Sequence, residues 1–156
     1  MAEPSNFCIF TDGSAIGNKQ NAPAGAAFYI PSMKKLISKS MYGTNNQAEL
    51  EAIRYAIWYF KENLSNKIKG EVNIYTDSSY SMNAISGKWK KITANLEKIE
   101  LIRQWISELG NSDVRINFIH VDAHTGKKDF ISVNNDIVDK EARRQALLSK
   151  NKISDA

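Results

Sequence analysis

Residues Phe7-Cys8-Ile9-Phe10-Thr11-Asp12-Gly13-Ser14 decide how this chain reads. The apolar run Phe7 to Phe10 is bounded by Asn6 on one side and by turn-forming residues on the other, so it reads as a buried strand emptying into a turn. Asp12 then stands at the strand's carboxyl end. The arrangement recurs in Glu71 to Thr76, where Val72 and Ile74 alternate with polar neighbours before Asp77-Ser78-Ser79. Here too a strand delivers a carboxylate to the start of a helix.

Working outward, Gly17-Asn18 and Pro23 mark a loop over residues 15 to 23, after which Ala24 to Ile30 and Leu36 to Tyr42 read as two strands joined around Pro31-Ser32. The first three strands would form an antiparallel meander. Thr44-Asn45-Asn46-Gln47 has the form of a capping box, followed by Leu50, Ile53, Ile57 and Phe60 at helical spacing. Glu49 falls in the first turn of that helix. A short helix is expected from Ser79 to about Ile85, then the basic stretch Lys88-Trp89-Lys90-Lys91, then an amphipathic helix from about Leu96 to Leu109 with Ile99, Ile102 and Ile106 on its apolar side and Trp105 beside them. Val114 to Val121 makes a fifth strand, and a polar loop leads to a last helix from about Asn134 to Leu148. Residues 149–156 read as a frayed polar tail.

This order predicts an α/β domain: a mixed five-stranded sheet, three antiparallel strands followed by two parallel ones, flanked by helices. If the first and fourth strands are neighbours, their carboxyl ends bring Asp12 and Asp77 together where the connections diverge, the place at which open sheets hold ligands.

The 156 residues, 42% hydrophobic and 24% charged, suffice for one hydrophobic core, so residues 1–156 are read as a single domain. Three prolines and eight glycines form no linker-like run. The one cysteine, Cys8, lies in an apolar strand and allows no internal disulfide. No apolar stretch approaches the length of a membrane span and no signal-peptide pattern opens the chain, so a reducing, cytoplasmic setting is expected, with no membrane partner. A net charge of +4 and a pI near 9.1 are compatible with a polyanionic partner and prove none. There is no long heptad pattern, and a monomer is expected.

Asp12, Glu49 and Asp77 each have an ordinary structural reading, because acidic residues favour turns and first helical turns. Their convergence is harder to explain that way. Carboxylates crowded together repel and raise one another's pKa unless a cation lies between them. With oxygen ligands and no Cys/His metal pattern, that cation is best read as magnesium. Two ions sharing a carboxylate suit phosphodiester hydrolysis.

At this point the chain resembles the type 1 ribonuclease H family. Phe10-Thr11-Asp12-Gly13-Ser14, Thr44-Asn45-Asn46-Gln47-Ala48-Glu49-Leu50 and Tyr75-Thr76-Asp77-Ser78 look like its first three motifs, in order. His120-Val121-Asp122-Ala123-His124-Thr125-Gly126 and Asn135-Asp136-Ile137-Val138-Asp139-Lys140-Glu141-Ala142-Arg143 resemble its histidine loop and its final Asn-x-x-x-Asp helix start. The resemblance implies the ribonuclease H-like fold and a metal-dependent endonuclease that hydrolyses the RNA strand of RNA/DNA hybrids, leaving 5′-phosphate and 3′-hydroxyl ends. It implies two Mg2+ ions, with Mn2+ as a possible substitute, held by Asp12, Glu49, Asp77 and Asp139. It also implies that His124 moves protons or helps release product. Asp136, three residues from Asp139 on the same helix face, competes for the fourth position; Asn135 matches the motif's asparagine and favours Asp139. His120, at the end of an apolar strand, reads as structural.

The same resemblance matches Gly13, Ser14, Asn45, Asn46 and Gln47 to positions contacting the RNA strand, and Thr44 to one near a DNA phosphate. Thr44 and Gln47 are equally explained by the capping box, and the two roles can coexist. The long basic protrusion of many family members is shortened here to Lys88-Trp89-Lys90-Lys91, a nearly handle-less form. Trp89 reads either as a stacking residue on the DNA strand or as cover for the core, and Asn95 as a further DNA contact. Two other functions stay open: a ribonuclease H module of a reverse transcriptase or mobile element, and a catalytically silent hybrid-binding module. The second needs a broken carboxylate position, and none is visible.

Overall fold

The structure, a computed structural model, describes residues 7–17, 19–87, 95–122 and 128–154. Its elements run β1 (Phe7–Ala15), β2 (Pro23–Ile30), β3 (Lys35–Tyr42), α1 (Asn45–Asn63), β4 (Gly70–Thr76), α2 (Ser79–Ser86), α3 (Leu96–Asn111), β5 (Val114–His120) and α4 (Phe130–Ser154). The strands form one sheet in the order β3-β2-β1-β4-β5. β1 pairs antiparallel with β2 and parallel with β4, and β4 pairs parallel with β5, so the expected mixed five-stranded sheet is present.

The pleat sorts β1 residues between two cores. Phe7 and Ile9 point to the side covered by α1 and α3, where Phe28, Ile30, Val72 and Ile74 meet Leu50, Ile53, Ile57 and Phe60. Cys8 and Phe10 point to the other side, against Ala27 of β2 and Val138 and Ala142 of α4. Phe10 stacks on Tyr75 there, ring centroids 4.5 Å apart. Trp105 packs partly buried against the larger core, as its place beside the apolar stripe suggested.

The end of β1 and both ends of the last helix differ from the sequence reading. Thr11 to Ser14 is strand rather than turn, because these residues pair with β2 as far as Ala15↔Ala24; ladder hydrogen bonds outweigh local turn propensity. The parallel ladder with β4 nevertheless stops at Phe10↔Tyr75. Asp12 and Asp77 therefore both lie two residues beyond the point where β1 and β4 part. The second difference is α4, which starts at Phe130 instead of near Asn134 and continues to Ser154. The Asp129 carboxylate accepts from Ser132 N at 2.8 Å and caps the helix, a cap signal present in the sequence but read as loop. Asn135 and Asp139 thus lie inside the helix, and the polar loop expected to run to about Asn134 ends before Phe130.

The frayed tail expected from residue 149 is likewise replaced by helix to Ser154. Ser38, Ser40 and Tyr42 alternate along β3 opposite Glu141, Gln145 and Ser149, spaced by fours along α4. Ser38 Oγ donates to Glu141 Oε2, Ser40 Oγ to Gln145 Oε1 and Tyr42 OH to Ser149 O, while Ser149 Oγ donates to Ala24 O at 2.9 Å. Two strand residues and four helix residues advance nearly the same distance, so the polar rungs stay in step. Polarity here marks a hydrogen-bonded interface, and Ser149 is fully buried in it. At Gly25 a Cβ would lie 2.2 Å from Ala142 O, so only glycine lets α4 approach β2 this closely.

Candidate active site

Asp12 from β1, Glu49 from α1 and Asp77 just past β4 offer oxygens that all lie within 4.8 Å of one another. Three local features bring them there. The parallel register of β1 and β4 sets Asp12 against Asp77. The turn after Asp77 is fixed by Ser78, whose N–H donates to Thr76 Oγ1 at 3.0 Å and whose Oγ accepts from Ser81 N at 3.1 Å to cap α2. The third feature is Gly13. A Cβ there would meet Ala48 C at 2.2 Å and Glu49 N at 2.4 Å, so the backbone of α1 rests directly on β1 at this residue. Its N–H donates to Glu49 Oε1 at 3.1 Å and Asp12 Oδ1 at 2.9 Å, tying two carboxylates together.

Burial raises the Asp12 carboxyl from its ordinary value to about 8, helped by the charges of Asp77 and Asp139 and by a hydrogen bond with Asp139. Glu49 is likewise pushed up, by burial first and then by Asp12, against the lowering effect of the Gly13 N–H. Glu49 Oε2 is buried and accepts no hydrogen bond among the described residues. An orphaned carboxylate oxygen among crowded acids is poorly satisfied by protein alone and fits a hard divalent cation.

Asp139 lines the same cleft, of about 720 Å³, whereas Asp136 does not. It stands outside the three-carboxylate set, and Arg143 Nε, one turn along α4, lies 3.2 Å from its Oδ1. Arg143 is the one Lys or Arg among the described residues lining the cleft. Ser14, Asn45 and Asn46 form one wall; Asn45 Oδ1 accepts from Ala15 N at 2.8 Å and Asn46 is exposed.

Thr44 and Gln47 make the expected reciprocal cap: Gln47 N donates to Thr44 Oγ1 at 3.1 Å and Thr44 N to Gln47 Oε1 at 2.8 Å. Gln47 and Asn95 also line a second concavity, of about 600 Å³. Asn95 Nδ2 donates to Tyr80 OH at 3.0 Å, and Tyr80 lines the carboxylate cleft, so this pair forms a ridge between the two. His124, Trp89 and Lys88, Lys90 and Lys91 lie outside the described residues. Sequence reasoning gave Arg143 and Tyr80 no part in the site. The four-residue spacing from Asp139 was an available signal for Arg143; none existed for Tyr80.

The chain's similarities agree with this geometry. The family described as RNase H matches residues 4–147. Ribonuclease HI of Haemophilus influenzae is 31% identical over 152 residues, covering 92% of this chain and 91% of the relative. Ribonuclease H of Thermus thermophilus is 31% identical over 147 residues, 88% of this chain and 82% of its own length. Among solved structures, that of LC11-RNase H1 in complex with an RNA/DNA hybrid is similar, with a TM-score of 0.65 and 26% identity over 87% of this chain and 99% of that one. A match spanning nearly the whole chain, on a sheet that gathers the motif carboxylates at one point, places the protein in the ribonuclease H family of enzymes.

Proposed function

We propose that the protein is an endonuclease that hydrolyses the RNA strand of RNA/DNA hybrids using two magnesium ions, leaving 5′-phosphate and 3′-hydroxyl ends. The observation carrying this reading is the cluster of Asp12, Glu49 and Asp77 with the orphaned Glu49 Oε2. These three residues and Asp139 would hold the ions, and manganese has the same preference for oxygen. Bound there, the metal supplies an activated water and stabilises the leaving oxygen.

The chain's own residues position the substrate. Arg143 neutralises Asp139, and its planar fork suits a phosphate oxygen. Gly13, Ser14, Asn45 and Asn46 lie where the RNA strand would cross the carboxylates, and their polar groups suit 2′-hydroxyl contacts. Gln47 joins them as an RNA-strand contact, while Thr44 and Asn95 would face the neighbouring DNA strand, with Trp89 as a further DNA contact. His124 is assigned the proton-moving role that its motif implies. That LC11-RNase H1 is solved with a hybrid supports this substrate class. The single cysteine, buried and hydrogen-bonded to Tyr75, suits a reducing cytoplasm, and we read the protein as a monomer.

The test is cleavage of end-labelled hybrid in magnesium and then in EDTA, with the product ends identified. Metal-dependent cuts within the RNA strand support the proposal; binding without any cleavage would identify a silent hybrid-binding module instead.

A further inference from the structure

Glu51 lies on α1 two residues beyond Glu49 and takes no part in the carboxylate cluster. Only 4% exposed, it is met by three cations from three elements. Lys39 Nζ of β3 is 2.7 Å from Oε2, Lys98 Nζ of α3 is 2.9 Å from Oε1, and Arg54 of α1 places Nε 2.7 Å from Oε1 and Nη2 2.6 Å from Oε2. One carboxylate satisfies three positive charges, leaving a local balance of +2.

Joining β3, α1 and α3 through Glu51 needs one cation from β3 and one from α3; Arg54, on the same helix as Glu51, adds a further positive charge, so the cluster concentrates positive charge. The cations also reach water, with side-chain exposures of 38% for Lys39, 24% for Arg54 and 29% for Lys98, whereas Glu51 is at 5%. The anion is beneath and the cations face outward. Lys39 lies 5.6 Å from the centroid of the Tyr55 ring, and Tyr55 adjoins Trp58, which is 39% exposed. These side chains are held in place, so binding an anion costs them less rotamer freedom than free surface lysines would lose.

Lys98 belongs to both the cluster and the concavity lined by Gln47 and Asn95, whose own carboxylate is Glu97. The patch is thus continuous with the surface across the Tyr80–Asn95 ridge from the catalytic carboxylates. Asn95, matched by resemblance to a DNA contact, lines that concavity, so a duplex with its RNA strand over those carboxylates would bring its other strand to this surface. We propose that Lys39, Arg54 and Lys98, ordered on Glu51, form a phosphate-binding surface that extends the grip on the DNA strand of the hybrid beyond the Gln47–Asn95 concavity. The inference rests on the hybrid-cleaving reading above.

The experiment measures hybrid binding against salt concentration in an Asp12→Asn background, where affinity is read without cleavage. Lys39→Gln and Lys98→Gln should each weaken binding several-fold near 0.1 M salt and reduce the slope of log K against log salt by about 0.9. In the active protein they should raise KM and leave kcat unchanged. Glu51→Gln gives the opposite sign: it keeps every cation and an amide oxygen to hold them while removing the neutralising charge, so the melting temperature falls while hybrid affinity rises. A hybrid whose DNA strand carries neutral methylphosphonate linkages should bind wild type and the lysine variants alike. The proposal is overturned if the three variants alter melting temperature only, or if the lysine variants weaken the methylphosphonate hybrid as much as the ordinary one. Failure of the wild-type protein to bind or cleave any hybrid would instead remove the underlying functional reading.

Discussion

Replacing Asp12 by Asn should make the metal-free protein more stable while abolishing cleavage. In the unfolded chain Asp12 titrates near 3.8, and in the folded protein burial and neighbouring acids hold it near 8. Between these values the folded state binds the extra proton. Its contribution to stability is therefore complete below pH 3.8 and lost progressively as pH rises to about 8. At pH 7 the cost relative to pH 3.8 is about 4 kcal/mol, from 3.2 pH units at roughly 1.36 kcal/mol each. Asparagine carries no charge to neutralise but must still be buried, so the net gain should be about 2–4 kcal/mol, an upward shift of the urea midpoint by about 1–2 M. Urea unfolding in EDTA at pH 4, 5.5, 7 and 8.5 reads both quantities. Wild type should lose stability along this series and the variant should lose less, because Glu49 stays buried and still titrates above its ordinary value. Magnesium at 100 times its dissociation constant should restore about 2.7 kcal/mol to wild type. A variant less stable than wild type at pH 7 in EDTA, or a wild-type stability flat across the series, would refute the electrostatic argument.

Asp139→Asn should abolish magnesium-supported cleavage and Asp136→Asn should leave it nearly intact, since only the first lines the cleft; initial rates on labelled hybrid decide, and the reverse result would move the fourth ligand to Asp136. Gly13→Ala forces a Cβ into the α1 backbone, so it should destabilise by at least about 1–3 kcal/mol and weaken metal binding, read by urea unfolding and by calorimetric titration with magnesium. Ending the chain after Leu148 removes the buried Ser149 bond to Ala24 O and should lower stability by about 1–2 kcal/mol; a truncated protein as stable as the full chain would show that the last turns of α4 contribute nothing.

How much was legible beforehand depended on whether the deciding forces were local. The capping box at Thr44 and Gln47 was readable because both partners lie within one helical turn, and it forms as written. The strands were readable from the apolar run Phe7 to Phe10 and from period-two patterning further on, and the element order left β1 and β4 as possible neighbours, which the ladder from Phe7↔Val72 to Phe10↔Tyr75 makes parallel partners. By contrast, Thr11 to Ser14 carries turn residues yet is strand, because its hydrogen-bond partners sit in β2. The polar end of α4 resembled a fraying tail because its partners lie on β3, more than a hundred residues earlier in the chain. Asp129 was a legible cap, overlooked inside a polar loop.

Local patterning identified the candidate carboxylates, the order of the elements that carry them and, through motif resemblance, the family. That Asp12, Glu49 and Asp77 come within 4.8 Å, that Arg143 holds Asp139 and that Glu51 gathers three cations became visible with the folded chain. The cause is distance along the chain. Propensity and spacing report interactions within a few residues, whereas the crowding that raises the Asp12 carboxyl, and the glycine gap that lets α1 rest on β1, arise where distant segments pack.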